Sequence, residues 1–183
     1  MGGYGYPMRS PSYRPALLAL RVALGLAVAW LLVWGDATAA FVVAVFLALS
    51  FAYLLRDDPR PHLFDVLFAL AALLGAVGYV FGLFDGGVPY DKPVHAFTTF
   101  SVSLAFFFLF YRGAVPRQRT VALATSVFTL GVTVGALWEI FEWFFVDRFT
   151  MADTIGDLVV DSSGALAAAL VALYVRRRGE RLT

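Results

Sequence analysis

Residues 121–145 read VALATSVFTLGVTVGALWEIFEWFF, a nearly continuous apolar run that contains two acidic residues, Glu139 and Glu142. An α-helix needs about 20 apolar residues to cross the ~30 Å hydrocarbon core of a bilayer. We therefore predict that this run spans a membrane as a helix. Its two carboxylates then lie inside a membrane span, where an isolated charge is costly.

The rest of the chain repeats this apolar pattern. Hydrophobic residues make up 61% of the 183 residues, whereas soluble domains are about 45–50% apolar. Only helices and closed barrels satisfy their backbone hydrogen bonds in lipid, and the chain lacks the alternating pattern of a barrel. We predict an all-α integral membrane protein, a bundle of six transmembrane helices at residues 16–34, 38–55, 63–84, 93–111, 121–145 and 154–175.

These runs leave no room for a second domain, because the connections between them are short. We predict a flexible N-terminal tail at residues 1–15, a single membrane domain at 16–175 and a basic cytoplasmic tail at 176–183. The first run is longer than the 7–15 apolar residues of a signal peptide. We therefore expect it to be an uncleaved first helix.

The basic residues predict the orientation. With six spans both termini lie on one side of the membrane, and cytoplasmic loops carry an excess of Lys and Arg. Lys92 and Arg148 fall on the side opposite the termini. The side of the termini collects Arg9, Arg14, Arg21, Arg56, Arg60, Arg112, Arg117, Arg119, Arg176, Arg177, Arg178 and Arg181. We predict a multi-pass protein of the prokaryotic plasma (inner) membrane with cytoplasmic N and C termini.

Ionisable residues gather at the predicted outer ends of spans four to six. Within each span they recur at helical spacing, which brings side chains to one helix face. At about 1.5 Å per residue the deeper members of this set reach a similar depth, in the outer third of the membrane; these are His95, Glu139, Glu142, Asp157 and Asp161. The full set is Asp91 and His95 in span four, Glu139 and Glu142 in span five, and Asp153, Asp157 and Asp161 in span six.

Two local patterns bear on this cluster. Gly131 and Gly135 lie on the stripe that leads to Glu139, and small residues at this spacing let membrane helices approach closely. Asp91, before Lys92-Pro93, and Asp153, in a capping-box spacing with Thr150, are typical of helix N-caps. We expect Asp153 to be a cap rather than a ligand, whereas for Asp91 both roles remain open.

Carboxylates this deep in a membrane need a cation or protons to hold them. Lys92 and Arg148 are the only basic residues predicted on that side, so a metal ion, shared protons or a His95 imidazolium are the alternatives. The chain has no cysteine, which excludes thiolate ligands and nucleophiles. We predict a divalent ion (Zn, Mg, Mn, Ca or Fe) with ligands among His95, Glu139, Glu142, Asp157 and Asp161.

Three function classes remain open on this pattern. One is a metal-dependent hydrolase or transferase for a lipid-linked phosphate, with Glu142, Asp161 and Asp91 as candidate catalytic residues. The second is a proton- or cation-coupled transporter, although no inverted repeat is visible. The third is a structural or assembly subunit with a metal- or proton-stabilised core. The expected partners are the lipid bilayer and a lipid-linked substrate, and no nucleic acid.

Three motifs in order resemble a known family. They are DKPVH at residues 91–95, WEIFEW at 138–143 and DTIGDLVVDSSGA at 153–165. Together they resemble the YjdF-type family of small predicted membrane proteins, over about half of the chain. More loosely the pattern is similar to the VanZ-like family, which is linked to glycopeptide resistance. The resemblance implies a polytopic bundle, an envelope-related role, and a motif set of Asp91, His95, Glu139, Glu142, Asp157 and Asp161.

Overall fold

A computed structural model describes residues 13–55, 63–84, 89–111, 120–145 and 150–181. The helices are α1 (Tyr13–Val33), α2 (Ala37–Leu49), α3 (Leu63–Phe81), α4 (Asp91–Phe106), α5 (Thr120–Phe145) and α6 (Met151–Arg181). A 3₁₀ turn, Ala52–Leu55, prolongs α2, and a π-helical turn, Phe107–Tyr111, prolongs α4.

The prediction of an all-helical membrane protein is confirmed. In the described part of the chain, six helices are long and apolar enough to cross a membrane, and they follow the predicted spans closely. α6 continues as a helix to Arg181, into the segment predicted as a basic tail. Most of the predicted N-terminal tail, residues 1–12, lies outside the described residues, and the orientation of the termini stays a prediction.

The helices form two halves. α1, α2 and α3 contact one another, α4, α5 and α6 do the same, and contacts between α3 and α4 join the two sets. We call them the first and second half-bundles. The first has its own buried apolar core around Leu24, Val43 and Ala76, and the second has one around Leu104 and Val127. Large apolar side chains cover the outside of the bundle, as a helical protein in lipid requires.

The second half-bundle is held close by small residues. A Cβ atom on Gly135 would lie 2.6 Å from Oδ2 of Asp161, and one on Gly131 would lie 2.5 Å from the Cβ of Ala165. On the other face of α6, a Cβ on Gly164 would collide with the backbone carbonyl of Ala96. α6 therefore lies against both α4 and α5 at distances that only glycine permits, which confirms the close approach expected from the glycine stripe.

Candidate metal centre

Three helix ends meet at one end of the second half-bundle, which we call the site end. α4 and α6 begin there and α5 finishes there. Because one turn is 3.6 residues, residues at every fourth position share a face of each helix. This places on the shared interface Asp91, His95 and Thr99 from α4, Asp153, Asp157 and Asp161 from α6, and Glu139 and Glu142 from α5.

The structure brings all of the predicted metal ligands together and buries them. His95 is 9% exposed, and the other ligands, Glu139, Glu142, Asp157 and Asp161, are between 1% and 8% exposed. Asp91, predicted as a catalytic candidate, is half-buried at the rim of the same cluster.

His95 lies at the centre of the cluster. Its Nε2 atom is 3.4 Å from Oδ1 of Asp91. Its Nδ1 atom lies 3.7 Å from Oε1 of Glu139, 3.9 Å from Oδ1 of Asp157 and 3.6 Å from Oδ1 of Asp161. The imidazole therefore faces carboxylates from its own helix and from both neighbouring helices.

Lys92 neutralises one side of the cluster, a role that the sequence analysis missed. Its Nζ atom donates to Asp91 (3.0 Å), to Asp153 (2.6 Å) and to both oxygens of Asp157 (2.7 and 2.8 Å). A Cβ on Gly156 would lie 3.3 Å from Cε of Lys92, so this glycine leaves room for the lysine stem against α6. The signal in the sequence was the position of Lys92 in the first turn of α4, level with the first turns of α6.

Thr99 is the second residue that the sequence analysis missed. Its hydroxyl, one turn below His95, donates a hydrogen bond of 2.6 Å to Oδ1 of Asp161. Gly135 leaves room for the other oxygen of that carboxylate. Asp161 is therefore held by a hydroxyl group rather than by a lysine or arginine, and it is oriented toward Nδ1 of His95.

The predicted helix caps need correction. The N-cap residue of α4 is Tyr90, without a side-chain cap hydrogen bond, and Asp91 lies inside the first turn. The Tyr90 hydroxyl instead donates to the carbonyl of Leu74 at 2.7 Å, and its partial burial raises its pKa, so it stays a donor that ties α4 to α3. On α6 the Thr150 hydroxyl accepts from the Asp153 amide at 3.2 Å, while the Asp153 carboxylate binds Lys92.

Three carboxylate oxygens of Glu139 and Glu142 remain without a hydrogen-bond partner in the described structure. Both carboxylate oxygens of Glu139 and Oε2 of Glu142 are buried and accept no hydrogen bond. Buried polar groups are satisfied in most proteins, and exceptions mark functional sites or missing ions. The Lys92 side of the cluster is compensated, whereas the glutamate side is not.

The spacing of the uncompensated groups suits a metal ion. One ligand atom from each of His95, Glu139 and Glu142 lies within 4.8 Å of the others. Ligand atoms bound about 2.1 Å from a tetrahedral zinc lie about 3.4 Å apart, close to the separation of His95 Nδ1 from Glu139 and Asp161. Asp91, His95 and Asp157 form a second group of this kind, but both oxygens of Asp157 accept hydrogen bonds from Lys92.

A cavity of about 330 Å³ opens beside the cluster, between the two half-bundles. Its polar end is lined by Asp91, His95, Glu142, Asp153, Asp157 and Asp161. The remaining wall is mainly apolar and comes from α2, α3, α4 and α5. Across it the ring of Phe46 on α2 contacts Trp138 on α5 edge to face, at 6.0 Å between centroids.

Comparison with known proteins gives a single family. The family model described as "Predicted membrane protein (DUF2238)" matches residues 16–178, which is most of the chain. The match is consistent with the resemblance to a YjdF-type family, whereas the likeness to the VanZ-like family stays a prediction. No curated protein and no solved structure matches the chain.

Proposed function

We propose that this chain, which belongs to the predicted membrane protein family DUF2238, binds a divalent metal ion through His95, Glu139 and Glu142. The observation that carries the proposal is that both oxygens of Glu139 and Oε2 of Glu142 are buried and accept no hydrogen bond in the described structure. A buried carboxylate without a partner costs several kcal/mol. A cation between the two glutamates and the imidazole removes that cost, and in the described structure no lysine or arginine side chain is shown against either glutamate.

The ligand set favours a first-row transition metal over calcium or magnesium. Calcium takes 6–8 oxygen ligands, and magnesium keeps an octahedral shell of oxygens, whereas one imidazole with two carboxylates suits Zn, Fe or Mn. Asp91 supports this arrangement, because it faces Nε2 of His95 at 3.4 Å and leaves Nδ1 for the metal. A carboxylate on the second imidazole nitrogen is the usual orienting partner of a metal-bound histidine.

The test is the metal content of the full-length protein, purified in detergent without chelator and measured by mass spectrometry of the elements. We expect one equivalent of metal in the wild type and its loss in Glu139→Gln and Glu142→Gln. The matched control is Asp153→Asn, a carboxylate of the same cluster that binds Lys92 and is expected to keep the metal. A wild-type protein without bound metal, after reconstitution with Zn, Mn and Fe(II), would overturn the proposal.

Asp157→Asn separates the two possible groups of ligands. His95 belongs to both groups, whereas Glu139 belongs to one and Asp157 to the other. If the ion sits among His95, Glu139 and Glu142, Asp157→Asn keeps the metal and loses stability, because Lys92 loses a partner. Loss of the metal from Asp157→Asn, with the metal kept in Glu139→Gln, would move the ion to the Asp91 side.

A second candidate function, hydrolysis or group transfer on a lipid-linked substrate, is supported by the cavity that reaches the cluster. The predicted catalytic residues Asp91, Glu142 and Asp161 all line this cavity, so a substrate there would meet a carboxylate able to act as a general base. The metal would supply an activated water. Incubation of metal-loaded protein with membrane lipid extract in heavy-oxygen water tests this function. Hydrolysis incorporates heavy oxygen into a product, and Glu142→Gln should abolish the incorporation. No label in any product from a metal-loaded wild type would exclude hydrolysis and leave group transfer to another acceptor.

A further inference from the structure

The cavity beside the cluster extends far along the bundle. On α4 its lining runs from Asp91 to Phe106, a distance of about 22 Å along a helix axis at 1.5 Å per residue. On α3 it runs from Phe68 to Tyr79. The cavity is therefore elongated parallel to the membrane spans, and only the end near Asp91 carries carboxylates and an imidazole among its described lining residues.

Small side chains on α3 create this space. Ala71, Ala72, Gly75 and Ala76 line the cavity in two successive turns. A Cβ placed on Gly75 would have no atom within 4 Å, so this glycine faces open space rather than a neighbouring helix. A fully packed core leaves few voids larger than a water molecule, whereas a volume of about 330 Å³ falls at the lower end of the ~300–1,000 Å³ typical of ligand pockets.

We propose that this cavity binds the hydrocarbon chain of a membrane amphiphile, with the polar end of the amphiphile beside the acid–histidine cluster. The apolar wall lies within the membrane-spanning part of α2, α3 and α4, where hydrocarbon chains are the surrounding solvent. An elongated apolar cavity with one polar end matches an amphiphile in shape and in polarity. The position of the amphiphile's polar end beside the metal rests on the proposed function, but the binding of its hydrocarbon chain does not.

The charge of the cluster restricts the polar end of the ligand. Carboxylates of α4, α5 and α6 outnumber the basic side chains around the cavity, where Lys92 is the one lysine or arginine shown in contact with them in the described structure. Lys92 is already shared among Asp91, Asp153 and Asp157. One divalent ion would not reverse this excess of negative charge. The polar end therefore carries no negative charge, so an alcohol fits it and a free phosphate does not.

The experiment compares two glycine substitutions of equal chemistry. Gly75→Leu places a side chain in the cavity, whereas Gly25→Leu adds the same group on α1, where a Cβ also has no atom within 4 Å and which does not line the cavity. Native mass spectrometry of the full-length protein, released from detergent, measures retained lipid. We expect retained lipid in the wild type and in Gly25→Leu, and at least about tenfold less in Gly75→Leu, because the leucine displaces several methylene groups of the chain.

Displacement by two probes of equal chain length tests the polar end. Dodecanol should displace the retained lipid at lower concentration than dodecyl phosphate. Equal retention in Gly75→Leu and wild type, or no retained lipid in the wild type, would overturn the site for the hydrocarbon chain. Stronger displacement by the phosphate would overturn the exclusion of a negatively charged polar end. Metal content and thermal midpoint are measured on the same samples. Gly75 carries no ligand atom, so its substitution tests the cavity separately from the metal site. A protein that binds no metal but still retains lipid would refute the metal proposal and leave the proposal of a hydrocarbon-chain site unaffected.

Discussion

Glu139→Gln should change the stability of the protein in opposite directions with and without metal. In the metal-free protein both Glu139 oxygens are buried and accept no hydrogen bond. The effective cost of such an ion is several kcal/mol, whereas an unsatisfied buried amide costs about 1–3 kcal/mol. We therefore expect metal-free Glu139→Gln to be more stable than the metal-free wild type by about 2 kcal/mol.

With metal the order reverses. A ligand at one hundred times its Kd stabilises the folded state by about 2.7 kcal/mol, and the variant forfeits this because glutamine is a poor ligand. The assay is thermal unfolding of the detergent-solubilised protein, followed by tryptophan fluorescence with excess chelator or with added metal. At about 2–4 °C per kcal/mol for a chain of this length, the variant should melt roughly 4–8 °C higher than wild type in chelator.

Asp153 provides the control for this prediction. Asp153→Asn removes a carboxylate that is 41% exposed and paired with Lys92, so its effect should be small and equal in the two buffers. If Glu139→Gln lowers the midpoint equally with chelator and with metal, Glu139 has a structural partner. The inference from its unsatisfied oxygens would then be wrong.

Three further predictions concern Lys92, Gly135 and the orientation of the chain. Lys92→Met should destabilise the protein by about 3 kcal/mol, because the Asp157 carboxylate, which is 1% exposed, loses its cation. The partial exposure of Lys92 limits this loss. An unchanged melting midpoint would contradict the prediction. Gly135→Ala should lower both stability and metal content, because the new Cβ would lie 2.6 Å from Asp161, whereas Gly25→Ala should be neutral or slightly stabilising. Because the chain has no cysteine, single introduced cysteines can report its orientation. Ala37→Cys, at the start of α2 and on the same side of the membrane as the site end, should react with a membrane-impermeant maleimide added outside intact cells, whereas Thr183→Cys should not. The reverse result would invert the predicted topology.

The fold was predictable because each span is recognisable on its own. The length and composition of an apolar run decide whether it can cross a bilayer, and this property needs no knowledge of neighbouring helices. The cluster was predictable for a related reason. Regular spacing on α4, α5 and α6 and short connections bring ionisable residues of three helix ends to one depth, so the gathering of His95, Glu139 and Asp161 follows from periodicity and topology.

The pairing within the cluster was not predictable, because it depends on which helix faces meet. Lys92 was counted only as one of two basic residues on its side, yet it forms the ion pairs of Asp91, Asp153 and Asp157. Asp153 looked like a cap from its spacing, and Thr150 does accept the expected backbone hydrogen bond, but the Asp153 carboxylate turns to Lys92. Periodicity indicates which residues share a face of one helix; the partner across the interface depends on how glycines such as Gly135 and Gly156 set the distance between helices.

The division of polar groups between the two ends of the bundle also bears on whether the cluster is a static binding site or part of a transport path. A smaller cavity at the opposite end of the bundle is lined by Ser50, Tyr53 and Asp65, and it shares Leu49, Phe68 and Phe106 with the large one. Ser50 is engaged there by Arg21, whose Nε donates to its hydroxyl at 3.0 Å. The two polar ends are thus separated by leucine and phenylalanine side chains, with Phe68 and Phe106 edge to face at 6.3 Å. A proton or cation relay uses a continuous chain of polar groups, whereas an apolar wall suits a hydrocarbon chain. The described residues therefore favour the proposed ion site and the proposed amphiphile cavity over a path on which an ion crosses the bundle.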